Sequence, residues 1–213
     1  MSDETNGMDP GAEPRAGRAE RPVRADARRN IDALLKAAME VFAESGVDAP
    51  VREIAERAGV GVGTVYRHFP QRSDLVVAIF QNEVNSCADA APALAAACDP
   101  GEALSRWMQR YVELIGTKRG LGAALHSGDP AFEALPAYFE SRLRPTLQAL
   151  LDSAVCAGKI RAGVDPDDLL RAVASLSAPA RDRDPAHARR MVALLVDGLR
   201  YGASPPAGRE SGE

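Results

Sequence analysis

The sequence predicts an all-α chain, on three observations. Apolar residues recur at three, four and seven positions along nearly the whole length, no segment alternates with a period of two, and each periodic run is bounded by Gly, Pro or Asp-Pro. The 213 residues, 46% hydrophobic and 26% charged, have the composition of an ordinary soluble protein of one or two domains. No run of roughly eighteen uncharged apolar residues is present, so a membrane-spanning helix is excluded. The first thirty residues mix both charge signs without an apolar block, which is not a secretory signal, and the expected location is the cytoplasm.

The elements follow in order. Residues 1–25 are rich in Gly, Pro, Ala and charge and are expected to be a disordered tail; residues 204–213 have the same character. In ARRNIDALLKAAMEVFAESG, Ile31, Leu34, Leu35, Ala38 and Phe42 form one buried stripe that Gly46 closes. The shorter VREIAERAG buries Val51, Ile54, Ala55 and Ala58, with Pro50 tolerated in its first turn. Gly59-Val60-Gly61 makes a turn, VGTVYRHF a third helix that Pro70 stops, and Ser73 is placed to cap a fourth through Leu75, Val76, Ile79 and Phe80. Beyond Pro92 the pattern predicts helices over 102–117, 121–126, 132–158, 166–177 and 185–201, about nine in all. The expected division is a head over 26–85 and a helical body over 86–203.

Charge divides the chain unevenly. The formal net charge is −4, yet Arg15 to Arg72 carries eleven Lys and Arg against eight Asp and Glu, leaving the remainder at −7. A basic front on an acidic body is compatible with a phosphate-bearing partner at the front. The cysteines Cys87, Cys98 and Cys156 lie far apart and read as small buried hydrophobes. His68, His126 and His187 are isolated, so no metal site or cofactor is expected.

The second and third helices with their glycine turn have the length and punctuation of a helix-turn-helix, in which the second helix enters the DNA major groove. Val65 and Phe69 point inward with Val62 at the edge, leaving Gly63, Thr64, Arg67 and His68 outward. Gly63 admits close backbone approach, Thr64 offers a hydroxyl and a methyl, and Arg67 can take guanine or phosphate. Tyr66 at the border and His68 can donate to phosphates, while Arg52 and Arg72 flank the helix and can fix its register on the DNA backbone. Arg28, beginning the first helix, is a further phosphate contact, whereas the arginines before it are interleaved with acids and read as solvated tail. GVGVGT lacks the preceding strand and the Lys-Ser or Lys-Thr end that a phosphate loop requires.

From Arg28 to Leu75, and above all in VREIAERAGVGVGTVYRHFPQRSDL, the sequence resembles the DNA-binding domain of TetR-type transcriptional regulators. The resemblance implies that TVYRHF lies in the recognition helix and that Tyr66, His68 and Arg72 contact phosphates. The chain departs from the common pattern at Pro50, where a hydroxyl residue often caps, and at Gly61-Val62, where Ser-Lys is frequent. WMQRYVELIGTKRGLGAAL and GKIRAGVDPDDLLRAV are similar to the regulatory domain of SbtR-like members. This implies a homodimer whose last two helices form an interchain four-helix bundle, with Leu169, Leu170, Val173 and Leu176 and Met191, Leu194, Leu195 and Leu199 as its apolar stripes.

The expectation is a ligand-responsive regulator, a repressor that binds a near-palindromic double-stranded operator as a homodimer and answers a small-molecule effector. Candidate effector contacts are the large or polar side chains of the middle region: Trp107, Met108, Tyr111, Arg119, His126, Phe132 and Tyr138, each of which also fits a helical core. No Gly-x-Ser-x-Gly, no His-Glu-x-x-His and no poised carboxylate pair is present, and Asp167-Asp168 after Pro166 suits a helix N-terminus. An enzyme is therefore not expected. The alternative is a helical module for a small molecule or protein partner without sequence-specific DNA binding.

Overall fold

A computed structural model describes residues 20–177 and 185–202, and its elements are helical throughout. They are α1 Glu20–Ser45, α2 Val51–Ala58, α3 Val62–His68, α4 Arg72–Ala97, α5 Pro100–Gly120, α6 Gly122–Leu125, a 3-10 turn at Pro130–Phe132, α7 Leu135–Cys156, α8 Pro166–Leu176 and α9 Pro185–Arg200. α1 begins at Glu20, inside the segment expected to be tail, because helix formation there needs only an unbroken run without Gly or Pro at its centre. Expectations for residues 1–19 and 203–213 lie outside the described residues.

Small residues set the corners of the head. Gly46 adopts φ +82° and its amide donates to the Phe42 carbonyl at 3.0 Å, ending α1. Gly59 at φ +68° ends α2, with the Gly59 amide on Glu56 and the Val60 amide on the Ala55 carbonyl at 2.9 Å. Pro50 is the residue before α2, at ψ 135°, where its missing amide costs no helical bond. α4 starts differently from expectation. Gln71 and Asp74 form a reciprocal cap, the Asp74 carboxylate accepting the Gln71 amide at 2.9 Å, so Ser73 lies inside the first turn and is not the cap.

α4 then runs 26 residues, past the exposed Pro92 to Ala97, kept helical by an alanine-rich neighbourhood. It therefore crosses the expected division at 85–86 as one helix. α4 packs on α1, α5 and α7; α5 also packs on α7 and α9; α8 joins α7 to α9. The buried side chains form one continuous core from Leu34 and Val65 in the head to Val192 and Leu199 in α9. The single long helix expected over 132–158 is broken after Phe132, where Asp129 caps the 3-10 turn by accepting the Ala131 amide, and α7 restarts at Leu135. Of the cysteines only Cys87 is buried; Cys98 is half-buried and Cys156 exposed, because Cys156 falls at the end of α7 rather than on its inward stripe. Among the described residues no helix is long and apolar enough to cross a membrane.

Candidate nucleic-acid interface and effector cavity

α3 is a seven-residue helix held by its inward face. Val65 is 1% exposed and Phe69 packs against the same core, while Val62 sits at the edge. The opposite face is open: Gly63, Tyr66, Arg67 and His68 are exposed, Tyr66 at 52%, and Thr64 is half-buried. Arg67 lies along this face, its Nε donating to the Gly63 carbonyl at 3.1 Å and its Nη2 to Thr64 Oγ1 at 3.2 Å. Both bonds are surface bonds within one turn that a phosphate or base edge can replace at small cost. Space around Gly63 is clear, so a backbone can come close there. Arg52 is exposed on α2.

Other cations of the head are committed internally. Arg57 forms a two-pronged ion pair with Glu44, at 2.7 and 2.8 Å, tying α2 to α1. That hydrogen bond holds the Glu44 carboxyl below, and the Arg57 guanidinium above, their usual ranges. Arg72 is half-buried, with Nη1 donating to the Val47 carbonyl in the α1–α2 loop. It braces the head, a structural duty that its sequence position did not announce.

In the body, a cavity of about 820 Å³ opens among α4, α5, α6, the 3-10 turn, α7 and α8. Its walls are apolar and aromatic, with Phe80, Tyr111, Phe132 and Phe139 among them, and Glu140, Arg144, Asp167 and Arg171 supply charge from α7 and α8. Arg144 Nε donates to Asp167 at 2.9 Å, closing α7 onto α8. Asp165 caps α8 by accepting the amides of Asp167 and Asp168, and those two acids stand in its first turn as expected. Among the described residues no group of His, Cys, Asp and Glu is arranged to hold a metal ion.

Residues 34–79 match the bacterial regulatory proteins of the tetR family, and residues 99–201 match the C-terminal domain of SbtR-like transcriptional regulators. A TetR transcriptional regulator from Streptomyces coelicolor superposes with a TM-score of 0.70 at 38% identity, over 83% of this chain and 99% of that one. The chain belongs to the TetR family. A TetR regulator from Mycobacterium vanbaalenii is similar at a TM-score of 0.65 and 38% identity, covering 84% of this chain and 99% of its own. Among curated proteins, an HTH-type transcriptional regulator of Staphylococcus aureus is 37% identical over 65 residues, 30% of this chain and 35% of that relative's length.

Of the expected head residues, Gly63, Thr64, Tyr66, Arg67 and His68 lie on α3, Arg52 is exposed on α2, and Arg72 is turned to the Val47 carbonyl. The side chains of Arg28 and Arg119 lie outside the described residues. Of the expected effector contacts, Tyr111, His126 and Phe132 line the cavity. Trp107 and Met108 are fully buried core and do not: the Trp107 Nε1 donates to the Cys87 carbonyl at 2.9 Å and its ring stacks on Tyr111 at 5.9 Å. Tyr138 also turns away, its hydroxyl donating to Asn85 Oδ1 at 2.8 Å beside Arg142, which bonds the same oxygen. Sequence reading missed Phe139, Glu140, Arg144 and Arg171. Helical periodicity places these residues on α7 and α8 but does not say which positions face a hollow between the two helices.

The expected dimer stripes divide. Leu169, Leu170, Val173 and Leu199 are buried within this chain, Tyr111 Oη donating to the Leu170 carbonyl and the Arg161 amide to that of Leu199. Leu176, Met191 and Leu195 are half-buried, and Leu194 is 63% exposed. Met191, Leu194, Gly198 and Tyr201, spaced three and four apart, share one side of the α9 end, where Tyr201 is 88% exposed and nothing approaches Gly198.

Proposed function

We propose that this TetR-family chain is a ligand-responsive transcriptional repressor, acting in the cytoplasm as a homodimer on a near-palindromic operator. The observation that carries the reading is the continuity of α4, whose first turns, Leu75 to Ile79, are core to the head and whose Phe80 lines the cavity. Thr64, Tyr66, Arg67 and His68 supply base and phosphate contacts, with Arg52 at the DNA backbone. Two copies joined through α8 and α9, along Met191, Leu194, Gly198 and Tyr201, place the two α3 helices in successive major grooves, about 34 Å or a small multiple apart. A ligand in the cavity that prefers the head spacing disfavoured by DNA releases the operator, since only differential affinity shifts such an equilibrium. The work is binding, with no chemical step.

The test is selection of bound fragments from random duplex DNA by the purified full-length protein at fixed salt. Recovery of a sequence with two inverted half-sites is the expected result. Binding that is salt-sensitive but indifferent to sequence, or absent, overturns the reading in favour of a partner-binding module.

A further inference from the structure

We infer that the cavity takes a lipophilic cation, a molecule with an aromatic or apolar body and one positive charge; the inference rests on the reading of this cavity as the effector site. Four aromatic rings from α4, α5, the 3-10 turn and α7 line it, and three of them cluster: Phe139 lies 6.2 Å from Phe80 and 6.1 Å from Tyr111. The faces of such rings carry negative potential and attract a cation, the more so where water is displaced.

The charges on the wall point the same way. Both arginines are already matched, Arg144 to Asp167 at 2.9 Å and Arg171 to Asp168 at 2.8 Å. Glu140 lines the cavity and makes no hydrogen bond or ion pair among the described residues. The unneutralised charge at the wall is thus a carboxylate. His126, on the same wall, is placed with Nδ1 donating to the Gly122 carbonyl at 2.7 Å, which leaves Nε2 as an acceptor in the neutral ring. An anionic ligand has to share an arginine with the aspartate already on it, in an exposed pair, and meets the Glu140 carboxylate besides. A neutral ligand covers Glu140 without a counter-charge. A cation meets the Glu140 carboxylate and the aromatic cluster together.

Three probes of related shape separate the possibilities: tetraphenylphosphonium, triphenylphosphine oxide and tetraphenylborate, each titrated calorimetrically into the full-length protein. The phosphonium is expected to bind about tenfold or more tightly than the borate. Glu140→Gln is expected to weaken the phosphonium about fivefold, the upper range for an exposed ion pair, without weakening the borate, whereas Glu133→Gln, an exposed acid off the wall, changes neither. A borate or oxide that binds as tightly as the phosphonium, or a Glu140→Gln protein that binds the phosphonium unchanged, overturns the cation assignment. If the borate or oxide binds and releases operator DNA, the effector reading stands and the ligand class alone is wrong. If none of the three binds, the cavity fails as an effector site, while operator binding is scored separately in the same protein.

Discussion

Arg67 and Arg72 are five residues apart and of one type, yet they have opposite employment. Arg67 rests on its own helix by exposed bonds, whereas Arg72 holds the Val47 carbonyl across the head. Substituting Arg72 therefore confuses loss of DNA contact with loss of the brace, and Arg67 is the cleaner probe. That difference was invisible in the sequence, because the Val47 carbonyl is 25 residues away and belongs to no motif. The inward pair Val65 and Phe69 was legible, being four apart on a short helix. The cysteines give a second contrast. Burial pushes the Cys87 thiol up to about 12 from an ordinary 9.0, and burial also raises the Tyr111 hydroxyl. Both groups are acids whose folded-state values exceed the unfolded ones, so the neutral forms are favoured by folding. Their contribution is complete below about pH 9 and declines as pH rises through the range 9 to 12. Urea midpoints measured from pH 7 to 11 are expected to be level with respect to these groups up to about 9 and to fall above it. Thiol titration of the native protein at pH 8 is expected to label Cys156 first and to leave Cys87 unmodified until the chain unfolds.

Element positions were readable wherever punctuation was strong: Gly46, Gly59 and Pro70 fall at or beside real helix ends. They were misread where a polar side chain did the capping from an unexpected place, as at Gln71, or where an isolated proline lay within a helix, as at Pro92, whereas the Asp165-Pro166 start of α8 fell where it was expected. Gly59 sits at φ +68° with open space around it, so an added methyl meets no clash and the whole effect is backbone strain. Gly59→Ala is expected to lower stability by about 1 kcal/mol, read as a shift in the urea midpoint with unchanged slope. The cavity was not legible at this scale. Its wall is assembled from six elements, and Asp167, which reads as the ordinary acid of a helix start, reaches Arg144 on a different helix, 23 residues away. Hydrophobic periodicity reports which side of a helix is apolar and says nothing of the hollow left when those sides meet.

At the scale of the molecule, amphipathicity also left one question open: whether an apolar stripe serves the chain's own core or a second copy. Leu169, Leu170, Val173 and Leu199 serve the core, and the stripe through Met191, Leu194, Gly198 and Tyr201 is what α9 still presents outward. Leu194→Glu places a charge in the proposed seam at a site that contributes little to the monomer, so it is expected to convert dimer to monomer in sedimentation equilibrium with stability of the fold retained. Such a monomer is expected to lose the cooperative half-site recognition proposed for the two heads. The proposed operator recognition depends above all on the outward face of α3 reading DNA. Its most direct test is a fluorescence anisotropy titration of the selected duplex, at about 0.1 M salt, with wild-type protein and with Arg67→Glu. Loss of about 2 kcal/mol or more of binding energy, with an unchanged urea midpoint, is the predicted result. Equal affinity of the two proteins for that duplex contradicts the account.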